Sequence, residues 1–182
     1  MQRSRASALL ASMGARQLVR IQRRFEDAAI RGYVLSVGPT FFIVALISDR
    51  LWHDGFECFR LTDLASVEPD PYADFAERAL HLRGLRRPRL PKVRLDSVGD
   101  IVRSAGTAFP LIAIHREATD PDICRIGQVV AVNRTQVALL EIGPDARWDV
   151  EPTVHSLRSI TRVGFGGEYE NALALVGGSS AA

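Results

Sequence analysis

Lysine is almost missing from this chain: of 23 basic residues only Lys92 is one. A bias that complete reads as genomic base composition more than as a selected binding surface. Cysteine is equally scarce. Cys58 and Cys124 form neither a disulfide framework nor a metal cluster, so reduced thiols in a cytoplasmic protein are expected. No apolar run approaches the roughly 18 residues that a membrane-spanning helix needs. The apolar core of the basic N-terminus, Ala8 to Ala11, is too short for a secretory signal. His53, His81, His115 and His155 are scattered, without His-x-x-His or Cys-x-x-Cys spacing, which argues against a bound metal. His53-Asp54 has no partner nucleophile and reads as a solvated turn. Gly164-Phe165-Gly166-Gly167 lacks the Lys-Ser/Thr pair of a phosphate cradle and is followed by Glu168, so it reads as a flexible connection. No catalytic constellation and no cofactor are expected.

What is present is an apolar fraction of 47% over 182 residues, ordinary for a chain that buries a core. Net charge is only +2, but residues 1–95 carry a net +6 and residues 96–182 a net −4. Such asymmetry favours an anionic partner for the first half, or attraction between the halves.

The most informative stretch is Arg31 to Ser48, two strand-length runs broken by Gly38-Pro39, which returns altered as Ile126 to Gly143. A helix over Ser4 to Met13 precedes it, ended by Gly14, and then a strand over Leu18 to Phe25. Strands at Phe56 to Leu61 and Leu64 to Val67 follow, the last stopped by Pro69 and Pro71. From Tyr72, apolar residues recur at helical spacing until near Gly84. Asp96 or Ser97 caps another helix through Ser104, stopped by Gly106, and the pattern then repeats. Val19 and Ile21 match Ile112 and Ile114; Gly32, Val37 and Thr40 match Gly127, Val132 and Thr135; Leu64 and Val67 match Ile160 and Val163; Tyr72 matches Tyr169, opening a last helix to Val176. Order across all these positions, not identity at any one, points to internal duplication.

The expected fold class is mainly β with short helices. Each unit has a helix, five short strands implying a small barrel, and a closing helix. The expected domains are 1–82, a basic Pro-containing linker 83–95, a second unit 96–176 and a disordered tail 177–182. The carrying stretches are IRGYVLSVGPTFFIVALI and DGFECFRLTDLASV in the first copy, and RIGQVVAVNRTQVALLEI and LRSITRV in the second. This pattern resembles a tandem pair of Sm-like small β-barrels, the fold of bacterial Hfq and eukaryotic Sm proteins, and is similar to uncharacterised bacterial barrel proteins. The resemblance implies five-stranded barrels and self-association or partner binding through their edge strands. It carries over no nucleotide-binding residue, because the first hairpin loop offers Gly38-Pro39-Thr40 and the fifth strands are followed by Glu68 and Gly164.

Two groups remain as candidate sites. Arg83, Arg86, Arg87, Arg89, Lys92 and Arg94, in a stretch without acids, suit salt-sensitive phosphate contacts. Trp52 and Trp148 occupy equivalent loops, where an indole either stacks on a base or partner or closes one end of its unit. The leading expectation is a non-enzymatic cytoplasmic interaction or assembly module. The alternative is RNA or single-stranded nucleic-acid binding through the basic stretch and the N-terminal arginines.

Overall fold

A computed structural model of the chain describes residues 2–179, with side chains from residue 6 onward. The part of the expected tail at 180–182 and the side chains of Arg3 and Arg5 lie outside the described residues. Two compact units divide the chain, Met1–Leu90 and Pro91–Ala182.

In the first unit helix α1 (Gln2–Ala15) is followed by strands β1 (Leu18–Arg23), β2 (Ile30–Val37), β3 (Phe41–Ile47), β4 (His53–Arg60) and β5 (Leu64–Pro69), then helix α2 (Ala73–Leu82). All pairings are antiparallel, in the order β5-β1-β2-β3-β4. Alternation along the strands gives the sheet two apolar faces. Val19, Ile21, Val34, Phe42 and Phe59 pack under Leu9 and Met13 of α1, while Leu18, Tyr33 and Ile47 pack under Ala76 and Leu80 of α2. Both faces are covered, which explains why β3 is an unbroken apolar run rather than an alternating one.

The second unit repeats this with α3 (Val98–Ala108), β6 (Ile112–Arg116), β7 (Asp120–Val132), β8 (Gln136–Glu141), β9 (Thr153–Ser156), β10 (Arg162–Phe165) and α4 (Glu168–Gly177), ordered β10-β6-β7-β8-β9. Ser97 caps α3, its hydroxyl accepting from the Asp100 N–H at 3.1 Å. Gly106 does not end that helix but lies inside it, where its missing Cβ admits the Val129 side chain.

The two units share fine detail. A bulge falls between Val34 and Ser36 in one and between Val129 and Ala131 in the other. A 3-10 turn follows the fourth strand in each, Leu61–Asp63 and Leu157–Ser159. Its first N–H bonds the carbonyl of Thr40 or Thr135, 2.8 Å in both. Gly32 and Gly127 serve the same close approach: a Cβ at either would collide with a backbone carbonyl of the next strand, Ala45 or Leu140.

Closed barrels do not form, and the likeness to Sm-like small barrels is corrected on this point. The five strands of each unit make open antiparallel sheet, and among the described residues no ladder joins β4 to β5 or β9 to β10. The reason is local. The 3-10 turn carries the chain from one end of the strand order to the other, so the fourth and fifth strands are not hairpin partners, and β9 and β10 span only four residues each. Association through barrel edge strands is corrected with it, since there is no barrel to offer them.

Candidate functional site

The cleft of interest lies in the first unit and is built by the segment that follows α2. Gly84 takes φ +74°, its N–H bonding the His81 carbonyl at 2.9 Å while Leu85 N–H reaches Leu80 O at 2.9 Å. This left-handed turn ends the helix and sends the chain back over the sheet. Leu85 joins the apolar cluster under α2. Residues 86–90 then lie over β2 and the end of α1, where Arg16 is itself left-handed at φ +53°.

Polar contacts pin this segment down. The Arg87 guanidinium lies 4.5 Å from the centre of the Tyr33 ring, and its Nη2 donates to Glu77 Oε1 at 2.9 Å. The Tyr33 hydroxyl donates to the same oxygen at 3.3 Å. Burial, then the Glu77 charge, push the Tyr33 hydroxyl up to about 12 against the partial relief of Arg87. His53, at the start of β4, donates from Nε2 to the Arg86 carbonyl at 2.8 Å. Burial holds its pKa below the ordinary histidine value, outweighing that bond. The ring is therefore neutral near pH 7, and its Nδ1 has no partner among the described residues.

Two adjoining cavities result. One, about 280 Å³, is lined by Arg16, Tyr33, His53, Glu77, Leu80, His81, Leu85 and Arg87. The other, about 490 Å³, shares Arg16, Tyr33 and Arg87 with it and adds Arg86 and Arg89 over a floor of Met13, Val34, Leu35 and Leu90.

Of the arginines singled out in the sequence, Arg86, Arg87 and Arg89 thus meet in one cleft. Arg83 stands over the Trp52 ring at 4.9 Å and donates to the carbonyls of Arg50 and Leu51. Lys92 and Arg94 belong to the second unit, where Arg94 pairs with Asp96 at 2.9 Å. Trp52 is 42% exposed. Trp148 packs with Leu111, Ile142 and Leu173 and donates from its indole to Gly177 O at 3.0 Å. Sequence reasoning missed Arg16, Tyr33, Glu77 and His53 as cleft residues. Their separation along the chain hid them, and Gly84 was read only as a helix stop.

The second unit holds different chemistry. His155, 3% exposed, meets Glu141 at 2.9 Å, and Glu141 also takes Arg125 at 3.3 Å. The equivalent positions of the first unit are Phe59, Leu46 and Ile30, so this polar triad replaces an apolar trio. A separate cavity of about 590 Å³ near the start of α3 is lined by Arg103, Arg134 and Arg158 with Ser97, Thr135 and Ser156, and by no acid. Among the described residues no group of three or more His, Cys, Asp or Glu is placed to hold a metal. No helix among them is long and apolar enough to cross a membrane. Compared with known proteins, the chain matches no family model, no curated protein and no solved structure.

Proposed function

We propose that the protein is a non-enzymatic, cytoplasmic binder of single-stranded nucleic acid, with the cleft of the first unit as its principal site. The observation that supports this is the convergence of Arg16, Arg86, Arg87 and Arg89 on one cavity with an apolar floor. Phosphates meet guanidinium forks there, while a base rests on Met13, Val34 and Leu35. Only Glu77 offsets the charge, and its Oε1 is committed to Arg87. The arginine-lined cavity of the second unit, free of acids, favours the same class of ligand. A protein-assembly role has less behind it: α2 exposes Phe75 and Leu82, and Tyr72 before it is exposed as well, but nothing in the fold indicates what would cover them.

The test is anisotropy of a labelled twelve-nucleotide single strand across salt concentrations. Three uncommitted arginines, Arg16, Arg86 and Arg89, imply a slope of log affinity on log salt of about −2. The R86E/R89E double variant, which spares the Arg87 packing, should bind weakly with a slope no steeper than about −0.7. Wild-type affinity and slope in that variant would refute the reading.

A further inference from the structure

A cleft meant for phosphate alone has no use for a carboxylate, yet Glu77 lines the smaller cavity beside the arginines. Its Oε1 accepts from both Arg87 and Tyr33, and the Tyr33 bond, at 3.3 Å, is longer than a good O–H···O contact. Oε2 has no partner among the described residues and is not buried. Arg16 lines the same cavity, and its guanidinium makes no ion pair with any described residue. A carboxylate with accepting capacity and an unpaired guanidinium thus share one small cavity, which adjoins the larger arginine-lined one.

That combination matches one nucleobase. Guanine offers two adjacent donors, N1–H and N2–H2, which the open Glu77 Oε2 accepts, and two acceptors, O6 and N7, which an arginine fork fills. Adenine turns an amino donor toward the arginine and an acceptor toward the carboxylate. Cytosine presents one donor beside an acceptor, and uracil or thymine one donor between two acceptors. Each of these leaves a polar group of the cavity unmatched. We infer that the first-unit cleft selects guanine, with Glu77 reading the Watson–Crick edge, Arg16 the O6/N7 edge, and Arg86 and Arg89 holding the phosphate. The neutral state of His53 keeps a further cation away from the donor edge. The inference rests on the nucleic-acid reading above, and its test separates the two.

The probes are two eight-nucleotide single strands, all thymine except for a central guanine or adenine, together with GMP and AMP, titrated into the full chain. The guanine strand should bind about tenfold more tightly than the adenine strand. Glu77→Gln keeps an acceptor for Arg87 and Tyr33 but presents an N–H where Oε2 stood. It should bring the ratio to about one, read as a ratio because loss of the negative charge strengthens both strands alike; a melting curve checks that the variant is folded. Glu77→Asp, which keeps the charge but shortens the reach, should also reduce the ratio and guards against a general charge effect. A preference of GMP over AMP equal to that between the strands would identify a free nucleotide as sufficient; a preference seen only in the strands would identify the polymer, and either supports guanine selection. Salt-sensitive binding of both strands with equal affinity overturns the inference and leaves nucleic-acid binding standing. Failure of every probe to bind overturns both.

Discussion

The polar triad of the second unit allows a swap experiment, because the first unit records what the same backbone accepts in its place. Removing one partner of a buried hydrogen bond to a charged group costs roughly 1.5–3 kcal/mol, whereas replacing a whole buried polar set by packed apolar groups is often neutral or stabilising. His155→Phe alone leaves Glu141, 8% exposed, with only the 3.3 Å contact to Arg125. A loss of about 1.5–3 kcal/mol is expected. Because this unit is near the 60–100-residue range, that corresponds to a fall in Tm on the order of 15 °C. The triple variant R125I/E141L/H155F installs the residues of Ile30, Leu46 and Phe59 and should return to within about 1 kcal/mol of wild type. Space for the ring exists: the first unit fits Phe59 opposite Phe42, ring centres 5.6 Å apart, whereas His155 stands opposite the smaller Val137. Urea unfolding followed by Trp148 fluorescence in a Trp52→Phe background isolates the second unit. If the triple variant is as unstable as the sum of its three single changes, the two sites are not structurally equivalent and the argument fails.

Two further outcomes follow from the first unit. Asp70 is buried, and burial alone would raise its carboxyl; hydrogen bonds from Arg31 Nε at 2.7 Å, the Tyr72 N–H at 2.7 Å and Arg20 Nε at 3.2 Å, with the Arg31 charge, outweigh this and hold it below the ordinary aspartate value. A depressed pKa contributes stability that is complete above the unfolded value, near 3.9, and is lost as pH falls through the folded one. Wild type should therefore lose stability steeply below about pH 4, and Asp70→Asn should be weaker at pH 7, by about 2–3 kcal/mol, with a flatter acid limb; an unchanged acid limb in chemical denaturation would contradict this. For the thiols, burial and then the neighbouring Glu57 charge push Cys58 far above an ordinary thiol, while Cys124 is exposed. Iodoacetamide at pH 8 should label Cys124 in the native protein and Cys58 only after unfolding, and comparable native labelling of both, read by peptide mass spectrometry, would be the contrary result.

Much of the fold was legible because its signals are local. Gly32 and Gly127 stand out as glycines in otherwise apolar runs, and a hairpin of two apolar runs around a short turn needs no distant information. The helix ends at Gly84 and the cap at Ser97 are likewise local. Closure of the sheet was not legible. Whether the fifth strand reaches the fourth depends on where a three-residue turn delivers the chain; Thr62-Asp63 marks the turn in sequence, but not its direction. The cleft was half legible: clustered arginines are visible in sequence, but their meeting with Arg16, Tyr33, Glu77 and His53 depends on the chain reversing at Gly84.

The duplication also separates residues the fold requires from those it merely tolerates. Gly32 and Gly127, the paired bulges and the two 3-10 turns are kept in both units, as geometry demands. The polar groups are not. Where the first unit joins Arg20, Arg31 and Asp70, the second has Ala113, Ile126 and Gly167; where the second joins Arg125, Glu141 and His155, the first is apolar. The cleft residues diverge in the same way, Tyr33, His53 and Glu77 aligning with Gln128, Trp148 and Ala174. Had burying Tyr33 beneath an Arg87–Glu77 pair been a condition of folding, the second unit would need a substitute at Gln128 and Ala174, and it folds without one. The Glu77 carboxylate thus serves the first unit alone, where its Oε1 accepts from Arg87 and Tyr33 and helps hold residues 86–90 over the sheet. On the proposed reading, the capacity left for a ligand is that of its second oxygen, Oε2, which Glu77→Gln replaces with an N–H donor.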